Sequence, residues 1–291
     1  MKLSVAVAAE DAPSSAFVVW RGFENSIKKA SQYGYQGVEL ALKSAWDIDP
    51  DQLQQWLIQS GMEVSCISTG QVFSCLDLYF THPDGKVREE AVHVFNDIIC
   101  LAKDFGKLVN VGRVRGFVGQ GQAREEARRL FIETTQRICE TAEQNGVTVI
   151  IEPVNRYELN FINSLDEGAE VISELKDGNI GLMPDLFHMN MEDDRIGKSI
   201  IRNARYIKYI HFADSNRLAP GRGHIDFKEV FDALRQIRFH GWAAIEILPE
   251  PDPDRAAQEA AKYILPLMKD YNKSLYGTGI GNLSCSQTFM G

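Results

Sequence analysis

The sequence predicts a single (β/α)8 barrel, the TIM barrel, and three observations carry that prediction. Eight short runs rich in Val and Ile recur along the chain, an amphipathic helical pattern follows each run, and a glycine often precedes the next run. Apolar strands that alternate with helices favour parallel pairing, and eight of them close naturally into a barrel. A doubly wound open sheet is the alternative. It is disfavoured because no Gly-x-Gly-x-x-Gly motif follows the first strand.

The predicted strands are short, apolar and separated by helical patterns. They are residues 2–8, 37–42, 63–70, 108–114, 147–153, 180–185, 207–213 and 242–248. The predicted helices carry apolar residues at helical spacing. They lie near 22–33, 50–60, 88–105, 124–145, 164–177, 195–205, 227–239 and 253–270. One domain, residues 1–276, holds all of these elements, and we expect the Gly- and Ser-rich tail, residues 277–291, to be flexible.

Capping residues mark the ends of the predicted helices. Asp49-Pro50 and Asp252-Pro253 place an acidic N-cap before a proline. Ser164 to Glu167 and Asp226 to Glu229 have the spacing of capping boxes. Glycines stand where helices must end before the next strand, a position that favours a left-handed residue. They are Gly34, Gly61, Gly106, Gly146, Gly178 and Gly241.

Composition narrows the class of protein. The chain of 291 residues is 44% hydrophobic, enough to fill a barrel core, and its net charge of −9 disfavours binding to nucleic acid. No apolar stretch has the length of a membrane span and no secretory pattern opens the chain, so we expect a cytoplasmic protein. The five cysteines form no Cys-x-x-Cys pair and are expected to be reduced thiols.

Four candidate metal ligands stand at the ends of the last four barrel strands: Glu152, Asp185, His211 and Glu246. Parallel neighbouring strands would bring them to one rim of the barrel. Three carboxylates and an imidazole gathered there would repel one another and lose solvation, so a divalent cation is the natural compensating charge. A ligand set of oxygen and nitrogen without thiolate suits Mn²⁺ best, with Co²⁺ or Mg²⁺ as alternatives.

Three neighbours of these ligands are candidate substrate contacts. Glu158 either reaches the pocket or forms a surface ion pair with Arg156. His188 is expected to contact the substrate, to support a metal ligand, or to be a plain core histidine. Arg217, just past its predicted strand, could bind a hydroxyl pair or a carboxylate through its forked donors.

Other charged and aromatic residues lie in segments expected near the rim. Arg113 and Arg115 are predicted on one face of the fourth strand, where they either balance the acidic rim or bind a substrate carboxylate. Glu39 is expected to be a buried charge paired within the barrel. Residues 71–87 are interpreted as a long aromatic loop that could act as a lid.

The motifs around these residues resemble those of the D-tagatose 3-epimerase group within the xylose-isomerase-like TIM barrels, from the first strand to the eighth helix. They are Ile151-Glu152-Pro153, Asp185-x-x-His188, His211 followed by Asp214-Ser215-Asn216-Arg217, Pro220-Gly221-x-Gly223-His224, and Glu246. Other motifs resemble the 5-keto-L-gluconate epimerase branch, whose substrates are keto sugar acids. They are Ser68-Thr69-Gly70-Gln71, Thr81-His82-Pro83 and Val114-Arg115-Gly116.

The resemblance implies a metal-dependent isomerase that inverts the carbon next to the ketone of a ketose or keto sugar acid. The four ligands would hold one Mn²⁺-like ion, and Glu152 and Glu246 would also be the acid/base pair. His188, Arg217 and Glu158 would contact substrate oxygens, and Gln71 would be a further contact. Homodimers or homotetramers are expected by analogy. The amino-terminal segment and residues 71–87 depart from the group's pattern, which leaves the substrate open.

The chemistry is consistent with that resemblance. A hydrogen beside a ketone is too weakly acidic for a carboxylate in water, so the enediolate must be stabilised, as a Lewis-acidic ion can do. One carboxylate then removes the proton, and a second delivers a proton to the opposite face.

Three other functions compete with epimerisation. An aldose-ketose isomerase would return the proton to a neighbouring carbon. A DNA-repair nuclease is disfavoured by only six histidines and the negative charge. A metal-dependent sugar-binding protein without turnover remains open.

Overall fold

The computed structural model describes residues 1–14, 16–176 and 178–276. The strands, named β1 to β9 in chain order, are Lys2–Ala8, Trp20–Arg21, Gly37–Ala41, Glu63–Ser68, Leu108–Val111, Thr148–Ile151, Ile180–Leu182, Tyr209–Phe212 and Trp242–Ile245. The α-helices, named α1 to α10, are Phe23–Gln32, Pro50–Ser60, Gly70–Leu76, Gly85–Ala102, Arg124–Asn145, Leu165–Ile172, Leu186–Glu192, Ile196–Arg202, Phe227–Gln236 and Pro253–Tyr276. Single 3-10 turns span Ala45–Asp47 and Arg113–Arg115.

Eight parallel strands form the barrel wall, in the order β7-β6-β5-β4-β3-β1-β9-β8, while the two-residue strand β2 pairs only with β1. Two parallel bridges, Leu182 to Ile207 and Asp185 to His211, join β7 to β8. The His211 N–H donates to the Pro184 carbonyl at 2.9 Å across the same seam. The predicted (β/α)8 barrel is confirmed.

The barrel interior is packed, so a ligand can enter only at a rim. Cys66, Ile150, Met183 and Tyr209 are fully buried there in one cluster with Ala244. Beneath the rim the Tyr209 hydroxyl lies 2.7 Å from Ser65 Oγ and 3.1 Å from Ser4 Oγ, which satisfies polar groups inside the barrel. The carboxyl ends of the strands remain open to the pocket, as in other barrels of this architecture.

The predicted helix caps are largely present. Asp49 Oδ1 accepts from the Gln52 N–H at 2.9 Å, and Ser164 Oγ accepts from the Glu167 N–H at 3.2 Å. Asp226 Oδ1 accepts from the backbone N–H groups of residues 228 and 229. Gly34, Gly61, Gly106 and Gly146 have positive φ as expected. Gly241 does not have positive φ; a Cβ there would lie 2.5 Å from Phe239 Cζ, so close packing is its reason.

Several predicted boundaries are wrong. Most later strands end two or three residues early, because the chain turns off the barrel as soon as polar residues reach the rim. Residues 71–87 are not one long loop: α3 ends at Leu76, α4 begins at Gly85 and Phe80 is fully buried between them against Phe95 and Phe131. This packing makes the connection part of the wall. Helix α7 was not predicted either.

Two further sequence expectations concern the carboxyl-terminal tail and membrane spans. The tail, residues 277–291, lies outside the described residues. Within the described ranges, none of the helices has both the length and the apolar content needed to cross a bilayer.

Candidate metal centre and active site

The four predicted ligands converge at the carboxyl rim of the barrel. One donor atom from each of Glu152, Asp185, His211 and Glu246 lies within 4.8 Å of all the others. Glu152 and Glu246 come directly after β6 and β9, whereas His211 lies inside β8 and Asp185 three residues after β7. The convergence arises because parallel strands end at one rim, and β7 and β8 close the seam there.

The two ring nitrogens of His211 face different partners: Glu39 on one side and three carboxylates on the other. Its Nε2 lies 2.9 Å from Glu39 Oε2, and both side chains are fully buried. Its Nδ1 is 3.3 Å from Glu152 Oε1, 3.4 Å from Asp185 Oδ2 and 3.3 Å from Glu246 Oε2, with hydrogen-bond geometry to none of them. A buried ring nitrogen surrounded by three carboxylate oxygens fits a divalent cation, and the Glu39 contact is the usual support of a ligating histidine.

The local field favours positive charge at this point. Burial alone would lower the pKa of His211, but Glu39 and Glu246, followed by Asp185 and Glu152, raise it well above its usual value. The same oxygens that favour a proton on Nδ1 favour a metal ion beside it. The donor set therefore passes the chemical test for a divalent-ion site.

The two carboxylate oxygens of Asp185 have different partners. Its Oδ1 accepts from the N–H groups of Phe187 and His188 at 2.8 and 3.3 Å and so caps α7. This cap turns Oδ2 toward His211. Burial would raise the pKa of Asp185, but Arg217 and His188 hold it well below the usual range. The carboxylate is thus ionised and aimed at the centre.

Glu152 is held by an amide from the neighbouring strand. Asn110, buried in β5, donates from Nδ2 to Glu152 Oε2 at 2.9 Å, which leaves Oε1 toward His211. A Cβ on Gly112 would lie 2.9 Å from Glu152 Oε2, so the close approach of this loop requires glycine. Glu152 therefore has one fixed oxygen and one directed at the site.

Arg217 binds the candidate ligands themselves. Its Nη1 donates to Asp185 Oδ2 at 2.5 Å and its Nη2 donates to Glu246 Oε2. The guanidinium lies between the rings of Phe17 and Phe187, with its centre 4.7 and 5.0 Å from their centroids. Its Nε is buried without a hydrogen-bond partner among the described residues.

The loop that carries Arg217 is built around Asp214. Asp214 accepts from the N–H groups of Ser215, Gly221 and Ile225. A Cβ on Gly223 would lie 2.3 Å from Asp214 Oδ1, so this glycine permits the turn. The glycines at 221 and 223 therefore serve a tight turn.

His188 and Glu158 both line the pocket. Burial lowers the pKa of His188 to about 4, so the imidazole is neutral near pH 7. Burial raises the pKa of Glu158, and the negative charge of Glu152 adds to that effect. The alternative pairing of Glu158 with Arg156 is wrong, since Arg156 Nη2 lies 2.7 Å from Glu192 Oε2.

Arg113 and Arg115 have different environments, contrary to the expectation of a shared strand face. Both lie in a 3-10 turn beyond β5 because the strand ends at Val111. Arg115 is fully buried and donates to the carbonyls of Phe161, Gly112, Glu152 and Ile162 at 2.7 to 3.0 Å. Arg113 lines the pocket.

Gln71 and Phe17 complete the pocket wall. Gln71 is buried there and donates from Nε2 to the Ala41 carbonyl at 2.9 Å, which uses one of the two N–H groups of its amide. Phe17 comes from the loop after β1, which sequence analysis left without a role.

Two buried amides, Asn110 and Asn155, were also missed. A signal existed for Asn110, a polar residue between Val109 and Val111 in an apolar strand. Asn155 stands in a polar loop with nothing in its spacing to distinguish it.

Comparison with known proteins places the chain in a family. A family model described as xylose isomerase-like TIM barrel matches residues 27–267. The chain belongs to this family.

Among its relatives are sugar epimerases. L-ribulose 3-epimerase of Mesorhizobium japonicum is 30% identical over 223 residues, 74% of this chain and 72% of that enzyme. The 3-dehydro-D-guloside 4-epimerase of Escherichia coli is 28% identical over 138 residues, 47% of this chain and 53% of that enzyme. The predicted enzyme class, a carbohydrate epimerase, is confirmed by these relatives.

A solved structure supports the architecture. The structure of D-psicose 3-epimerase with D-tagatose from Clostridium cellulolyticum H10 matches with a TM-score of 0.78 at 20% identity, over 94% of this chain and 99% of that chain. At this identity the likeness bears on the fold.

Proposed function

We propose that this protein is a divalent-metal-dependent epimerase that inverts the carbon next to the ketone of a ketose or keto sugar acid. One observation carries the proposal. Two glutamates, Glu152 and Glu246, each place a carboxylate oxygen 3.3 Å from His211 Nδ1 within a four-donor group that borders the pocket. A site with two carboxylates around one cation can both acidify a carbon beside a ketone and exchange its proton.

Glu152, Asp185, His211 and Glu246 would hold the ion, which supplies Lewis-acid stabilisation of the enediolate when bound. Glu152, with one oxygen fixed by Asn110, would take the proton from one face of the substrate. Glu246, paired with Arg217, would return a proton to the other face. The different partners of the two glutamates support different roles for them.

The residues around the two glutamates would orient the sugar. His188, Glu158 and Arg217, which all line the pocket, would bind oxygens near the ketone. Gln71 would form the wall opposite, and its remaining carbonyl oxygen would accept from a hydroxyl. These contacts would hold the reacting carbon in one position relative to the two carboxylates.

Arg113 is the residue that bears on substrate class. Its neighbour Arg115 uses its guanidinium on backbone carbonyls, which leaves Arg113 as the cation of this turn that lines the pocket. We infer that it contacts the end of the substrate away from the ketone, through hydroxyls or a carboxylate. The similarity to the 5-keto-L-gluconate epimerase branch favours the carboxylate and stays a prediction.

Other parts of the proposal concern the ion and the cellular context. Mn²⁺ is the proposed ion because an oxygen-rich set with one imidazole suits it, with Co²⁺ or Mg²⁺ as substitutes. We further propose a cytoplasmic homodimer or homotetramer that binds neither nucleic acid nor membrane. Residues 1–276 would form the catalytic domain.

The test is an assay in D₂O with a panel of ketoses and keto sugar acids, with added Mn²⁺ and with chelator. An epimerase labels the inverted carbon of the ketose and gives no aldose. Label at the terminal carbon with aldose formation would instead identify an aldose-ketose isomerase. Binding of sugars without any exchange across the panel would identify a binding protein and overturn the proposal.

A further inference from the structure

Asn155 lies under the pocket wall and contacts two candidate substrate residues at once. It is 2% exposed. Its Nδ2 lies 2.8 Å from His188 Nδ1 and 3.2 Å from Glu158 Oε1. It touches none of the four candidate ligands in these contacts, so its role differs from theirs.

The orientation of the Asn155 amide is determined by the backbone. The Tyr157 N–H donates to Asn155 Oδ1 at 3.0 Å, and only the oxygen of an amide can accept that bond. The NH₂ group must therefore face His188 and Glu158. Because an amide nitrogen donates and cannot accept, His188 Nδ1 must be the acceptor.

This arrangement decides the tautomer of His188. A neutral imidazole with an accepting Nδ1 carries its proton on Nε2. That Nε2 lies on the side of the candidate metal centre, 4.0 Å from Glu152 Oε1. The pocket therefore receives an N–H donor from His188 rather than a lone pair.

We propose that Asn155 is a positioning residue that fixes His188 as the Nε2–H tautomer, so that His188 donates a hydrogen bond to an oxygen of the bound sugar. The effect on turnover rests on the proposed function, whereas the tautomer does not. A donor aimed where negative charge develops is worth about 100-fold in rate.

Asn155→Asp is the sharpest substitution. An Asp keeps the oxygen that accepts from the Tyr157 N–H, so the turn is preserved. It replaces the donating NH₂ by an accepting oxygen, which favours a proton on His188 Nδ1 and leaves Nε2 as an acceptor. Repeating the change in an E158Q background removes the second carboxylate next to the new one.

The control is Asn163→Asp, in the same loop. Asn163 donates from Nδ2 to the carbonyls of Val154 and Leu159 at 2.7 Å and does not contact His188. A general effect of loosening this loop would be common to both variants. An effect on the His188 proton would belong to Asn155 alone.

The measurement is ¹⁵N NMR of histidine-labelled protein loaded with diamagnetic Mg²⁺, with the His188 signals assigned by H188Q. We expect Nε2–H in the wild type and in N163D, and Nδ1–H in N155D and in N155D/E158Q. A wild-type His188 protonated on Nδ1, or an unchanged tautomer in N155D/E158Q, would overturn the proposal.

The kinetic arm tests whether Asn155 acts through His188. In N155D we expect kcat/KM to fall about 100-fold. In the H188Q/E158Q background the same change should alter kcat/KM less than about twofold, because both partners of the Asn155 amide are gone. Equal losses in both backgrounds would contradict the positioning role. The expected tautomers in a protein without epimerase activity would overturn the proposed function alone.

Discussion

The two halves of the barrel rim contribute differently to the site. The ends of β6 to β9 supply the charged groups that meet at the centre: Glu152, Asp185, His211 and Glu246. Strands β3 and β5 supply groups that contact those residues without joining them at the centre, such as Glu39 on His211 and Asn110 on Glu152. The second set orients the first. The reactive half therefore depends on a supporting half whose residues never meet at the centre.

The largest effect is expected from removing a carboxylate of the reactive half. Glu246→Gln or Glu152→Gln should lower kcat about 1,000-fold, because each loses one proton-transfer step. Turnover is measured at Mn²⁺ concentrations that saturate each variant, so that weakened metal binding is separated from lost catalysis. The matched control is Glu63→Gln, at the opposite rim, where an exposed Glu pairs with Lys2. Wild-type turnover in E246Q would show that the Glu246 carboxylate is not needed for catalysis.

A large effect on stability is expected in the supporting half. Arg115→Met removes a guanidinium that donates to four backbone carbonyls, one of them that of Glu152; two of the four keep a backbone N–H donor. The free energy of unfolding should fall by at least about 3 kcal/mol. Arg113→Met, in the same turn, should change it by less than about 0.5 kcal/mol. Chemical denaturation of both variants checks this. Similar losses would contradict a structural role for Arg115 that Arg113 does not share.

A smaller effect is expected where the supporting half meets the ion. Glu39→Gln keeps an acceptor for His211 Nε2–H but removes the negative charge behind the ring. Mn²⁺ affinity should fall about 10- to 100-fold, with the stoichiometry unchanged. Calorimetric titration with Mn²⁺ measures both quantities. Complete loss of binding would show that Glu39 belongs with the ligands, and unchanged affinity would show that its contact with His211 does not act on the ion.

The smallest effect is expected at Asp193, outside both sets. Burial raises the pKa of Asp193 from 3.8 to about 6, opposed by the Ser199 hydroxyl and supported by Asp166. The folded state therefore binds this proton more readily than the unfolded chain, and stability falls as the pH rises from about 4 to 6. The free energy of unfolding of Asp193→Asn should exceed that of the wild type by about 1 kcal/mol at pH 8 and equal it at pH 4. A constant difference at both values would contradict it.

The sequence predicted the reactive half well and the supporting half poorly, for a physical reason. A ligand that ends a strand repeats with the βα unit, so the positions of Glu152 and Glu246 stand out from the apolar runs before them. Asn155 acts through contacts within and between loops, and such contacts leave no regular spacing in the sequence. Asn110 stands out only as a polar residue within an apolar strand. Glu39 was recognised as a buried pair because a charge inside an apolar strand needs a partner.

The errors in the predicted fold have a similar origin. The aromatic segment that contains helix α3 has the pattern of a loop, yet Phe80 just after that helix packs against Phe95 of α4 and Phe131 of α5. Arg115 was expected beside Arg113 on a strand, but four carbonyls from two loops draw it into the interior. In both cases packing between elements outweighed the local pattern.

The central claim is that one divalent ion, held by the four converging donors, makes this barrel an epimerase. The most direct measurement is turnover of the demetallated protein as Mn²⁺ is added in known equivalents. We expect turnover to rise from none and to saturate at one ion per chain. Full turnover without metal, or saturation only at two or more ions per chain, would contradict the claim.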